Sequence, residues 1–193
     1  MAVQAHHRCE SLDAEVCSVH CSGPHIVSGA ANGIVSIHAP DANVLQSVKL
    51  PRDMAVSALV IVYADSAAQA SERASTAGAL PDACVLSASY NRIHAHHLSS
   101  GAAISELEAH ADAITSLSLS QSAGMLFSAS HDTTVRGWAV GSADWPWAAS
   151  SLPLVEMDAP DASVPLCCEV QLPLCCALIK VTCTAACCRT VWL

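Results

Sequence analysis

The stretch Leu107 to Trp138, LEAHADAITSLSLSQSAGMLFSASHDTTVRGW, decides the fold class. Ile114–Ser120 and Met125–Ser130 are short runs of apolar and small hydroxyl residues. They are bounded by Ala-Asp, Gln-Ser-Ala-Gly and His-Asp, a layout that suits strands and not helices. His131-Asp132 reads as a tight turn, and Thr134-Val135 places β-branched residues at the start of a further strand that ends in Trp138. The stretch therefore predicts an antiparallel, all-β unit.

The same frame recurs upstream, a test that one isolated match does not meet. Val16-Cys17-Ser18-Val19 matches Ile114-Thr115-Ser116-Leu117, and HIVSGAANGIVSIH (His25–His38) matches MLFSASHDTTVRGW. Ser28, Asn32 and His38 then stand where Ser128, Asp132 and Trp138 stand. In a second copy Val56-Ser57-Ala58-Leu59 opens the unit and CVLSASYNRIHAHHLSSGAAISELEAH follows. Ser87, Asn91 and His96 fall on the same three positions, and Arg52 lies near the position of His110.

This frame resembles the WD-repeat family, whose units are four-stranded blades of a β-propeller. The resemblance implies an all-β, partial WD-repeat β-propeller of four-stranded antiparallel blades. It also implies that His110, Ser128, Asp132 and Trp138 form a buried hydrogen-bonded chain tying the loop before the blade to its inner strands. In the two upstream copies the Trp and Asp are lost, which predicts incomplete chains there. HADAITSLSLSQSAGMLFSASHDTTVRGW followed by PLVEMDAPDASV is further similar to the C-terminal propeller of BEACH-domain proteins.

A fourth unit begins and fades. LVEMDAPDASVPL (Leu154–Leu166) copies SELEAHADAITSL, with Glu156 on Glu106 and Val164 on Ile114, but Pro160 replaces His110 and Pro165 removes a ladder donor. KVTCTAACCRTVWL fits the second and third strands of that unit. The expected organisation is a tail over 1–12, a first blade over 13–55, a second over 56–109 with an Ala/Ser-rich insertion at 64–80, a third over 110–153 with its connecting loop, and a degenerate or truncated fourth over 154–193. Closed rings use roughly four to eight blades of about 40–45 residues, so 193 residues with two insertions predict part of a propeller: a fragment, or a unit completed by further blades.

Composition narrows the partners. A net charge of −9, with 8 Lys and Arg and no basic run, argues against nucleic acid and anionic membrane surfaces. MAVQAHHRCE lacks the apolar core of a signal peptide. Leu172–Ile179 is too short to span a bilayer, so no integral membrane segment and a cytoplasmic location are expected. Eleven Cys, an odd number, point to reduced thiols.

Two clusters raise metal binding as the alternative: His94, His96 and His97 with His110, since alternate strand residues share a face, and the doublets Cys167-Cys168, Cys175-Cys176 and Cys187-Cys188. The doublets are not the Cys-x-x-Cys knuckles of structural zinc sites, and no carboxylate or Cys lies beside the His cluster at ligand spacing. Neither a metal nor another cofactor is therefore expected. Ser128, Asp132 and His110 are also the residue types of a hydrolase triad, but no Gly-x-Ser-x-Gly elbow and no phosphate-cradling loop occurs, and no catalytic residue is assigned. The expected role is a protein–protein interaction scaffold or adaptor with protein or peptide partners, built on the blade loops and the central opening.

Overall fold

The computed structural model describes residues 14–41, 43–63, 83–120, 124–140, 153, 155–158, 168–171, 180–183 and 190–192. Three four-stranded antiparallel sheets follow one another along the chain. The first is β1 (Val16–Ser22), β2 (His25–Ala30), β3 (Ile34–His38) and β4 (Val44–Lys49). A single 3₁₀ turn at Pro51–Asp53 leads to the second, formed by β5 (Val56–Tyr63), β6 (Ala83–Ser89), β7 (Arg92–His97) and β8 (Ala103–Glu108). The third joins β9 (Ile114–Ser120), β10 (Met125–Ser130), β11 (Thr134–Ala139) and β12 (Val155–Asp158). A fourth sheet has the three strands β13 (Cys168–Gln171), β14 (Lys180–Cys183) and β15 (Thr190–Trp192).

Strand order equals chain order in every sheet, so each sheet is a meander in which consecutive strands are neighbours. The register repeats as well: β1, β5 and β9 each slip by one residue after their first position, at Cys17, Ser57 and Thr115. A bulge at one frame position increases twist there, and its recurrence marks the three sheets as copies of one unit.

The second sheet buries both faces, which explains why CVLSAS of β6 reads as a continuous run without polar alternation. On one face of the second sheet Leu59, Ile61 and Val85 pack with Val27, Val35, Ile37 and Leu50 of the first sheet. On the other face Leu86, Ala88, Ile93 and Ala95 pack with Ile114, Leu117, Leu126 and Trp138 of the third. Burial of each large side chain contributes about 1.5–3 kcal/mol, so the two interlayer cores hold the stack together. The first of them is tight: a Cβ on Gly29 would come within 2.5 Å of Val56 Cγ1.

Four-stranded meanders stacked face to face, with their first strands innermost, are the blades of a β-propeller. The third blade takes its outer strand from Val155–Asp158, residues that the sequence reading places at the start of a fourth unit. The fourth sheet begins instead at Cys168, with Lys180–Cys183 and Thr190–Trp192 as its second and third strands. The 64–80 insertion with its Ala/Ser-rich composition, most of the 139–153 connection, Pro160, Pro165, the Cys175-Cys176 and Cys187-Cys188 doublets and the 1–12 tail lie outside the described residues. Among the described residues no helix is long and apolar enough to cross a membrane.

Candidate functional site

His110 sits in the loop before β9, Ser128 on β10, Asp132 in the β10–β11 turn and Trp138 on β11. The pairing of β10 with both of its neighbours brings them together. Trp138 Nε1 donates to Ser128 Oγ at 2.9 Å, and Ser128 Oγ lies 2.7 Å from His110 Nε2. His110 Nδ1 lies 2.9 Å from Asp132 Oδ2. An ionised carboxylate only accepts, so Nδ1 carries the proton and donates to Asp132, and Nε2 accepts from the Ser128 hydroxyl. One donor–acceptor direction therefore runs from Trp138 through Ser128 to His110 and on to Asp132.

The chain closes on itself. Ser128 is fully buried, His110 and Trp138 are buried, and both ring nitrogens of His110 are engaged. A nucleophilic serine needs access to solvent and substrate, which Ser128 lacks, so the triad-like residue set acts here as a clamp. Burial pushes the His110 pKa below its ordinary 6.5, outweighing the hydrogen bond to Asp132. Burial would raise the Asp132 carboxyl, but hydrogen bonds from the Thr134 hydroxyl, the Ala111 and Thr134 amides and His110 outweigh it and hold it at about 2.

Thr134 is a fifth member that sequence reasoning did not assign. Its Oγ1 donates to Asp132 Oδ1 at 2.7 Å and stands 3.2 Å from His110 Nδ1, while its amide donates to the same carboxylate at 3.0 Å. Ser130 adds support: its Oγ accepts from the Asp132 amide at 3.1 Å and donates to the Asp112 carbonyl at 3.0 Å. The signal was present as Ser-x-Asp-x-Thr, hydroxyls two residues either side of a turn Asp, which is the spacing for local side-chain-to-backbone bonds.

The upstream blades keep parts of this arrangement. In the first, Ser28 Oγ lies 2.7 Å from His38 Nε2, and Asn32 Oδ1 accepts from the Ile34 amide at 3.2 Å. In the second, the β6–β7 turn is one residue shorter, with Ser89 paired to Arg92 across Tyr90-Asn91, so His96 and not His97 takes the register of Trp138. Ser87 Oγ donates to the His94 carbonyl at 3.4 Å. Asn91 turns outward to the next blade, its Nδ2 donating to the His110 carbonyl at 3.1 Å. Arg52 is exposed and holds a positive φ of 76°.

The His94/His96/His97 cluster does not converge. His94 and His96 share a face with ring centroids 6.5 Å apart, and alternation puts His97 on the opposite face. Among the described residues no three His, Cys, Asp or Glu side chains are placed to hold a metal ion. On the inside of the stack His20, Cys21 and Ser22 of β1, Val60 and Ile61 of β5, and Leu117, Ser118 and Leu119 of β9 line an opening of about 310 Å³. Its walls are first strands, with the remaining strands of each sheet behind them.

Residues 101–139 match the WD40 family model, described as WD domain, G-beta repeat. That segment contains β8 to β11, so it spans the outer strand of the second blade and three strands of the third. No curated protein matches the sequence. Among solved structures, the fold is similar to the computationally designed Ika4 protein, with a TM-score of 0.68, 16% identity, and coverage of 100% of this chain and 99% of that one. It is also similar to the designed Ika8 protein (TM-score 0.66, 17% identity, 95% of this chain and 48% of that one). A chain of a mitotic checkpoint complex has a TM-score of 0.62 and 18% identity over 88% of this chain and 44% of its own length. The chain thus spans about half the length of these last two. It is a partial β-propeller that carries a WD40 repeat at residues 101–139.

Proposed function

We propose that the chain is a non-enzymatic protein-interaction scaffold working in the cytoplasm, with a peptide or protein segment received at the opening between the first strands of its blades. The observation that carries the reading is the conjunction of a WD40 repeat with the opening lined by His20, Cys21, Val60, Ile61 and Leu119. WD repeats commonly act as rigid platforms, and recognition surfaces favour concave sites with a few polar groups on apolar walls. The polar clamp of the third blade serves this role by fixing the loop before β9 and so the wall of the opening. The likeness to BEACH-domain proteins extends the proposal to an adaptor cut from a longer trafficking or signalling protein, with further blades from a parent chain or another subunit.

The test is capture of partners from cell extract on the full chain, beside a Cys21→Glu variant. Cys21 is exposed and lines the opening. The expected result is at least one partner retained by the wild-type chain and lost by the variant at unchanged circular dichroism. Identical recovery on both chains would overturn the assignment of the opening.

A further inference from the structure

The second blade holds two buried histidines on the face that packs against the first blade. His94 is 5% and His96 8% exposed, and their rings are tilted by 36° at a centroid separation of 6.5 Å. Their facing comes from register: His96 lies opposite Val85, and Val85 packs with Val27, Val35, Ile37 and Leu50 of the first blade. The third blade puts Trp138, an indole without a titrating group, in the register of His96. Where that blade gives its histidine a dedicated acceptor at 2.9 Å, the nearest carboxylate here is Glu106 of β8, 3.6 Å from His94 Nδ1. Glu106 is already engaged by the Arg92 guanidinium. The other charges near the pair are cations, Arg92 on β7 and Arg52 on the 3₁₀ turn, which disfavour a charged His94. From the packed elements β2, β3 and β5 this face receives Val27, Val35, Ile37, Leu59, Ile61 and Tyr63, whose hydroxyl lies 3.3 Å from Nδ1 of His25 on β2, while Lys49 of β4 is turned to Asp53.

We propose that this histidine pair makes the seam between the first and second blades an acid-sensitive joint. At neutral pH two uncharged imidazoles pack in the seam. In acid, opening the seam lets both rings take up protons that the closed packing refuses, because one engaged carboxylate cannot neutralise two adjacent imidazolium ions among apolar side chains and two guanidinium groups. Burial, and for His96 the neighbouring His94, lower both pKa values below 6.5. A depressed folded pKa leaves full stability above 6.5 and removes it as pH falls toward the folded value. A surface held across two blades would thereby be released on acidification while the third blade stays intact.

Hydrogen–deuterium exchange on the full chain from pH 7.5 to 5.5, corrected for intrinsic exchange, tests this. If opening takes up between one and two protons, protection of β6 and β7 falls by roughly ten- to a hundredfold per pH unit below 6.5. Protection of β10 and β11 should change less. The His94→Gln/His96→Gln variant should lose this pH dependence. A wild-type slope near zero, or the same slope in the variant, would overturn the proposal. Should the variant fail to fold, ring-resolved NMR titration of the wild type decides. Titration of both rings below 6.5 together with loss of β6–β7 protection supports the joint; titration at 6.5 with protection unchanged overturns it.

Discussion

The second and third blades share strand order, bulge position and a serine on the middle strand, yet they manage their buried polar atoms in opposite ways. In the third, every partner of Ser128 is another buried side chain, and the chain ends on a carboxylate that accepts four hydrogen bonds. In the second, Ser87 falls back on a backbone carbonyl, the Trp position holds His96 and the residue near the His110 position is the exposed Arg52. The backbone ladder is therefore sufficient for the blade shape, and the polar chain is an added clamp. What the clamp adds is a fixed loop ahead of the blade, since His110 and the Ala111 amide both terminate on Asp132.

The largest break of this comparison should come from Asp132→Ala. It leaves the His110 ring, the Ala111 and Thr134 amides and the Thr134 hydroxyl without their acceptor, and should cost about 2–3 kcal/mol in chemical denaturation of the full chain. A loss below about 0.5 kcal/mol would show that the carboxylate is an ordinary turn residue. Acid should expose the same group. Its folded pKa of about 2 lies below the ordinary 3.8, so the stabilisation is complete above 3.8 and is lost as pH falls through 2. The difference corresponds to about 2 kcal/mol, and Asp132→Asn should flatten the limb between pH 4 and pH 2. An equally steep limb in that variant would place the acid sensitivity elsewhere.

Trp138→Phe keeps most of the apolar volume but removes the donor to Ser128 Oγ, and should cost about 1–2 kcal/mol in the same assay. Asn91→Ala removes one hydrogen bond, to the His110 carbonyl, and should cost about 1 kcal/mol. Because that bond joins two blades, exchange of the loop before β9 should rise more than that of β6. The smallest effect is a gain. Thr133 holds a φ of 68° where the first blade has Gly33 at 77°, so Thr133→Gly should stabilise by about 0.5 kcal/mol, relief of left-handed strain outweighing the added chain entropy. A loss would mean that Thr133 makes contacts that glycine cannot replace.

Much of the architecture was legible because it rests on local signals. Alternation, turn residues and the recurring serine located the strands of three blades, and the spacing from His110 to Trp138 placed the polar clamp. Thr134 escaped because it reads first as a β-branched strand residue, although the Ser-x-Asp-x-Thr spacing carried its role. The one-residue shortening of the Tyr90-Asn91 turn was absorbed by placing His96 in the Trp position, but the destination of Asn91, on the next blade, is a tertiary contact without a local trace. The outer strand Val155–Asp158 was legible as a copy of Ser105–Glu108. Its membership of the third blade follows from pairing with β11, which strand propensity does not specify.

The WD40 segment runs from the outer strand of one sheet through three strands of the next, one strand out of phase with the blades. Gain or loss of one such segment is consequently self-healing. Excising residues 101–139 would remove β8 to β11 and hand β12 to the β7 edge, leaving a complete four-stranded sheet with no orphaned ladder. The replacement is chemically matched: Glu106 and Glu108 now sit against Arg92, as Glu156 sits against Arg136, so the incoming strand would again offer carboxylates to an arginine. Blade number in such a molecule can thus change in whole units with every ladder paired before and after, and the burden of adjustment falls on the faces between blades.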